Sequence, residues 1–210
     1  MAERIIDSHP MTSAETGSYP ATSRWTRATV YPDMWVDPGD DPRESEVGAG
    51  DERSTLVEYL RRYRLTLEMK CADLDAEQLA RRPIPPSDLS LLGLVRHLTD
   101  CERYWFRRVL AGEDVGFVFR TEENREAPFD GALPDPALVD EAWAAWRREV
   151  AYAQRLVDQA LHLEVTGRPD PAEDHEVSLR EVLVHMIEEY ARHCGHADLL
   201  RERIDGRVGQ

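Results

Sequence analysis

Apolar residues at Leu56, Leu60, Tyr63, Leu67 and Cys71 recur every three or four positions, which predicts a long amphipathic helix opening at Asp51. A short turn from Asp75 to Arg81 follows. Pro83, Pro85 and Pro86 then exclude a regular helix, because proline lacks a backbone N–H and clashes with the preceding turn. Ser90 is placed to cap a second helix, whose stripe runs Leu91, Leu94, Val95, Leu98, Cys101, Glu102, Trp105 and Val109, with Gly112 closing it. Residues 113–134 carry turn formers and Phe117, Phe119 and Phe129, too irregular for a helix and too long for a plain connector. Asp135 and Pro136 open a third helix that Val139, Trp143, Trp146, Val150, Ala153 and Val157 extend to about Ala160. After a second loop, Ser178 and Glu181 supply a capping box for a fourth helix, ending near Ile204 ahead of Gly206. No segment alternates with period two. The pattern predicts an all-α four-helix bundle over residues 51–206, with an irregular N-terminal extension at 1–50 and a tail at 207–210. The extension has the composition of a partly disordered segment, while Trp25, Tyr31, Trp35 and Val36 leave room for residues 25–37 to strap across the folded body.

Composition narrows the classes. A chain of 210 residues can bury one core and is too short for two ordinary domains with linkers. Forty-one acidic against 26 basic residues give a net charge of -15, which repels a polyphosphate backbone and disfavours nucleic acid as a partner. No apolar run has the length that spans a bilayer, and the N-terminus lacks signal architecture, so no membrane partner is expected. Three cysteines, Cys71, Cys101 and Cys194, without framework spacing argue against a disulfide scaffold; a reducing cytoplasm is the expected location.

The candidate chemistry lies on the fourth and second helices. At 100° per residue the apolar arc of the fourth holds Leu179, Leu183, Met186, Ile187, Tyr190, Cys194 and Ala197, with His185, Glu189, His193 and His196 along its edge. Glu189 and His193, four apart, stand one above the other, able to grip one cation. On the second helix His97 sits at the edge of the buried arc, beside Leu94 and Cys101. Two imidazoles and one carboxylate suit a divalent first-row metal and leave positions open for water or substrate. An inward histidine also serves as a satisfied core residue, and Glu/His pairs occur on solvated faces, so spacing alone leaves the metal reading open. His185 and His196 could orient the ligands through hydrogen bonds or occupy ordinary surface or core positions. Cys71 and Cys101 read as core residues, and Cys194 is turned inward.

The run Leu89-Ser-Leu-Leu-Gly-Leu-Val-Arg-His97-Leu, the segment Glu102-Arg-Tyr-Trp-Phe-Arg-Arg and the segment Glu189-Tyr-Ala-Arg-His193-Cys-Gly-His196 together resemble the DinB-like metalloprotein superfamily. The resemblance covers residues from about Asp51 to Gly206. It implies a four-helix bundle holding zinc or nickel through His97, Glu189 and His193. It also implies a cytoplasmic enzyme whose cosubstrate is a low-molecular-weight thiol of the mycothiol or bacillithiol type. Many members use three histidines; the Glu at the middle position resembles the mycothiol-dependent maleylpyruvate isomerase, whose extra C-terminal domain is not matched, so its particular reaction is not expected here. The expected function is a thiol S-transferase or isomerase acting on a small electrophile at an open metal position, with the loop carrying Phe117 and Phe119 as an apolar roof. Two alternatives remain: a metal-activated hydrolase, with His196 or Glu102 accepting the proton of a bound water, and a non-catalytic metal-binding stress-response bundle. Bundles of this superfamily often pair, and a homodimer could form through Trp143 and Trp146 if these are not core residues.

Overall fold

A computed structural model of the chain describes residues 23–44, 50–169 and 174–210. The part of the extension at residues 1–22, expected to be partly disordered, lies outside the described residues. Helix α1 (Glu52–Cys71) starts where Asp51 accepts a hydrogen bond from the Ser54 amide. The turn expected near Asp75 is a short helix, α2 (Ala76–Ala80), opened by a capping box between Asp75 and Gln78. Ser90 caps α3 (Leu91–Glu102) by accepting from the Gly93 amide at 3.1 Å. Within the long loop sits α4 (Ala127–Asp130); Asp135 then caps α5 (Pro136–Gln159), with Pro136 at its first position. A two-residue antiparallel pair, β1 (Thr166–Gly167) with β2 (Val177–Ser178), precedes α6 (Leu179–Asp205), which opens on the Ser178/Glu181 capping box and closes at Gly206 in the left-handed region, φ 85°.

The second helix departs from expectation. Beyond Glu102 it continues as π-helix over Arg103–Leu110, and the Ala111 amide reaches the Phe106 carbonyl five residues back. This slower winding keeps Phe106 and Val109 in the core and leaves Trp105, assigned by the stripe to the interior, half-buried at the bundle's edge. Arg103 and Arg107 hold the register from across the bundle, placing their guanidinium groups 3.0 and 2.5 Å from the two carboxylate oxygens of buried Glu149 on α5.

Helix α1 packs on α6, and α3 packs on α5 and α6. Leu60, Leu67, Leu94, Leu98, Leu183, Met186 and Phe106 form the interior, each such side chain contributing about 1.5–3 kcal/mol by leaving water. Trp146 belongs to that core, and its Nε1 donates to the Tyr190 hydroxyl at 2.8 Å; Trp143 meets it edge-on and is half-buried. Trp146 is thereby withdrawn from any pairing surface. The same interior contains a buried ion pair, in which Arg64 donates from Nε and Nη2 to the two oxygens of Glu102, both at 2.7 Å. The Tyr190 hydroxyl adds a third bond to Glu102, at 2.8 Å.

Residues 23–44 form the strap that the aromatic residues allowed. Trp25 exchanges backbone bonds with the chain segment after α6, its amide bonding to the Gly206 carbonyl at 3.0 Å and its carbonyl accepting from the Val208 amide at 2.9 Å. Trp35, 2% exposed, lies between Lys70 and Arg207, whose charges stand 4.1 and 3.8 Å from its ring centroid.

Candidate metal centre

Helices α3 and α6 lie side by side, so side chains at the edges of their buried arcs meet. His97 Nε2 stands 3.6 Å from Glu189 Oε2, and His193 Nε2 stands 3.3 Å from the same oxygen. The His97 and His193 rings meet edge-on with centroids 4.7 Å apart. The three side chains named from the sequence therefore gather around one carboxylate oxygen. They are only partly withdrawn from water, with side-chain exposures of 30% for His97, 16% for Glu189 and 11% for His193.

Burial, then the neighbouring His97, pushes the His193 imidazole down to about 4, so at neutral pH it is uncharged and keeps a lone pair to donate. Its Nδ1 faces His196 Nδ1 at 3.3 Å, an arrangement that fixes the ring with Nε2 toward Glu189. His185 lies on the other side of the carboxylate, its Nε2 4.0 Å from Glu189 Oε1 and its ring edge-on to Trp105 at 4.7 Å. Phe129 stacks near His97 with centroids 5.8 Å apart. It reaches that place across Gly93, where a Cβ would fall 2.5 Å from a Phe129 ring carbon.

Sequence reasoning missed one member of this cluster. Cys101, read as a core residue, is half-buried, with its Sγ 3.5 Å from His97 Nε2. Donor atoms of His97, Cys101 and Glu189 all fall within 4.8 Å of one another. The signal was present, since His97 and Cys101 share the interval of four that drew attention to Glu189 and His193. Cys194 is buried beside the Tyr63 carbonyl, and burial pushes both its thiol and that of Cys71 up to about 12.

Glu102 is fully buried, with Arg64 donating to both of its oxygens and Tyr190 to one of them, so that three of its acceptor positions are taken. The loop after the second helix is tied down by Asp100, whose carboxylate accepts from the amides of Val118, Phe119 and Arg120 at 2.6, 3.2 and 2.8 Å. Burial raises the Asp100 carboxyl above its usual range, and those three amides work against the rise. Phe119 packs inward beneath the Arg96 guanidinium, while Phe117 stacks on Tyr104 at 5.9 Å and has the Arg120 guanidinium 4.6 Å from its ring centroid.

Among the described residues, the donors of His97, Cys101 and Glu189 are close enough to one another to hold a metal ion, and His193 approaches the same Glu189 oxygen. Metal–ligand bonds of about 2.0–2.1 Å in a tetrahedron separate nitrogen and oxygen donors by about 3.3–3.4 Å, and the two imidazole–carboxylate distances are 3.3 and 3.6 Å. The fold is a helical bundle of the DinB-like class, as the family match shows. The model of the mycothiol-S-transferase family matches residues 55–206, and the chain belongs to that family. Among solved structures, a conserved protein from Enterococcus faecalis matches with a TM-score of 0.53 and 16% identity, covering 75% of this chain and 99% of its own, a likeness of fold alone. No curated protein matches.

Proposed function

We propose that the protein is a metal-dependent S-transferase that joins a low-molecular-weight thiol, mycothiol in kind, to a small electrophile. The convergence of His97 and His193 on Glu189 Oε2 carries this reading, together with the family. In it, His97, Glu189 and His193 hold the divalent cation, zinc by donor preference and nickel as the alternative. When bound, that cation supplies positive charge that favours a thiolate over a thiol. Glu189 offers its carboxylate to the cation, and the uncharged His193 offers a nitrogen with no proton to displace. His196 holds the His193 ring in the donating orientation. Trp105 and Phe129 flank the donors with apolar surface and narrow the approach of water from both sides. The thiol proton ends in solvent once turnover is complete, the sulfur bonds to the electrophilic carbon, and that carbon's leaving group departs with its electron pair.

Such a thiol belongs to a reducing compartment, so the cytoplasm is the proposed location, and the three free cysteines accord with it. The described residues include no helix long and apolar enough to cross a membrane. The proposed partners are the thiol and the electrophile.

The test is to determine the metal content of the purified protein by elemental analysis and to assay it with mycothiol and a bimane or aryl halide electrophile. Conjugation that requires protein, metal and thiol together is expected. Turnover of the electrophile that ignores thiol would instead identify the hydrolase, and bound metal with no turnover of any kind the structural bundle.

A further inference from the structure

We propose that Cys101 is a fourth protein donor to the same cation, so that a substrate thiol gains its place by displacing a sulfur the protein already holds there. This rests on the metal reading above and adds to it a specific occupant of the position left open.

Three observations carry it. The first is distance. Bonds of about 2.05 Å to nitrogen and about 2.3 Å to sulfur in a tetrahedral site place the two donor atoms about 3.6 Å apart, and His97 Nε2 and Cys101 Sγ are 3.5 Å apart. The second is grouping: Cys101, His97 and Glu189 form a mutually close donor set from two helices, and His193 approaches the same Glu189 oxygen. The third is contrast within the chain. Burial pushes all three thiols up, but Cys71 and Cys194 are buried, with Cys194 against a backbone carbonyl, whereas Cys101 is half-buried and faces an imidazole. The junction between α3 and its π-helical continuation falls directly after Glu102, so the sulfur stands on the last turn of regular helix, on the face that carries His97.

A sulfur donor changes what the site prefers and how it opens. Thiolate among two imidazoles and one carboxylate favours zinc or cobalt over magnesium or calcium. Four protein donors would fill the positions of a tetrahedral cation and so would keep water from it while no thiol is present. Opening then proceeds as an exchange of like for like. The bond from Cys101 Sγ breaks as that from the incoming sulfur forms, and the proton of the incoming thiol passes to Cys101. No electrons are transferred, and charge at the centre stays constant.

Cobalt(II) is the probe, because a thiolate bound to it gives a charge-transfer absorption in the near ultraviolet that imidazole and carboxylate do not. Wild-type protein loaded with cobalt in the absence of added thiol is expected to show that band. Cys101→Ala and Cys101→Ser are expected to retain bound cobalt, seen in its visible bands, and to lose the near-ultraviolet absorption. Adding N-acetylcysteine should restore the band in both variants. Cobalt bound to wild-type protein without the band overturns the role of Cys101 while leaving the other three donors standing. The band persisting in both variants overturns it as well. Failure of wild-type protein to bind cobalt at all removes the metal reading itself, and this inference with it.

Discussion

Replacing Arg64 by Met tests whether the polar core is held by charge pairing or only by volume. The Arg64 side chain is 8% exposed and that of Glu102 is 0% exposed, and the two are joined by parallel bonds of 2.7 Å. Methionine keeps an unbranched apolar stem but removes both bonds, leaving the Glu102 carboxylate buried with the Tyr190 hydroxyl as its remaining partner. Breaking a buried pair from one side costs about 3–5 kcal/mol, since the surviving charge is desolvated and uncompensated. At about 2–4 °C per kcal/mol for a protein of this size, the fall in Tm should be about 6–20 °C. Adding Glu102→Gln removes the orphaned charge while retaining an acceptor for Tyr190, so the double variant should recover to within about 2 kcal/mol of wild type. Urea unfolding followed by far-ultraviolet circular dichroism measures both, with an unchanged slope confirming that the unfolded state is not the cause. The same double variant should keep its rate of thiol transfer. A loss in Arg64→Met below about 1 kcal/mol, or a double variant as unstable as the sum of the single ones, would refute the pairing; a folded double variant slowed more than about 100-fold would return Glu102 to the chemistry.

Three further outcomes follow from the site. In metal-free protein the folded-state imidazole of His193 titrates near 4 against an ordinary 6.5, so the unfolded chain binds the extra proton between those values. Stability should therefore fall by about 3 kcal/mol as pH drops from about 6.5 to about 4; denaturant midpoints across that range should show the slope in wild type and its loss in His193→Gln. Asp100→Ala removes the acceptor for three loop amides, and hydrogen exchange at Val118, Phe119 and Arg120 should accelerate by about tenfold or more while α1 and α6 are unchanged. Gly93→Ala inserts a methyl into the space of Phe129 and should cost about 1–3 kcal/mol in urea unfolding.

The elements were legible where local chemistry decides them. Ser90, Asp135 with Pro136, and the Ser178/Glu181 pair each mark a helix start that the structure places within a residue, because a cap satisfies amides of its own first turn. Glu189 and His193 were legible for the same reason, their interval of four being a property of one helix. What spans the bundle was not. The π-helical winding after Glu102 is held by Arg103 and Arg107 reaching Glu149 on another helix, a cause 42 residues away from Arg107. Glu102 was correctly placed on the inward stripe, yet its occupation depends on Arg64, 38 residues earlier, and so its candidacy as a proton acceptor could not be judged from spacing. Cys101 sat on the apolar stripe and was counted with it; its interval of four from His97 was legible, while its nearness to Glu189 depends on the approach of α6.

The most informative residue for the metal reading is Glu189, a half-buried carboxylate at the meeting of two helices. Glu102 has Arg64, Glu149 has Arg103 and Arg107, and Asp100 has three backbone amides. Glu189, 16% exposed, is flanked instead by His97, His185 and His193, and among the described residues no arginine or lysine pairs with it. Of those neighbours His193 is held uncharged down to about 4. A bound cation would give this carboxylate the full charge partner that the other buried carboxylates draw from arginine or from backbone amides. Glu189→Gln tests whether that partner is needed. After chelation the variant should melt at or above wild type, because the uncompensated charge is gone. Upon addition of zinc at 100 times its dissociation constant, wild type should gain about 2.7 kcal/mol and the variant little. A chelated variant less stable than chelated wild type would mean that Glu189 is satisfied by the histidines alone, and the reason for placing a cation among them would be lost.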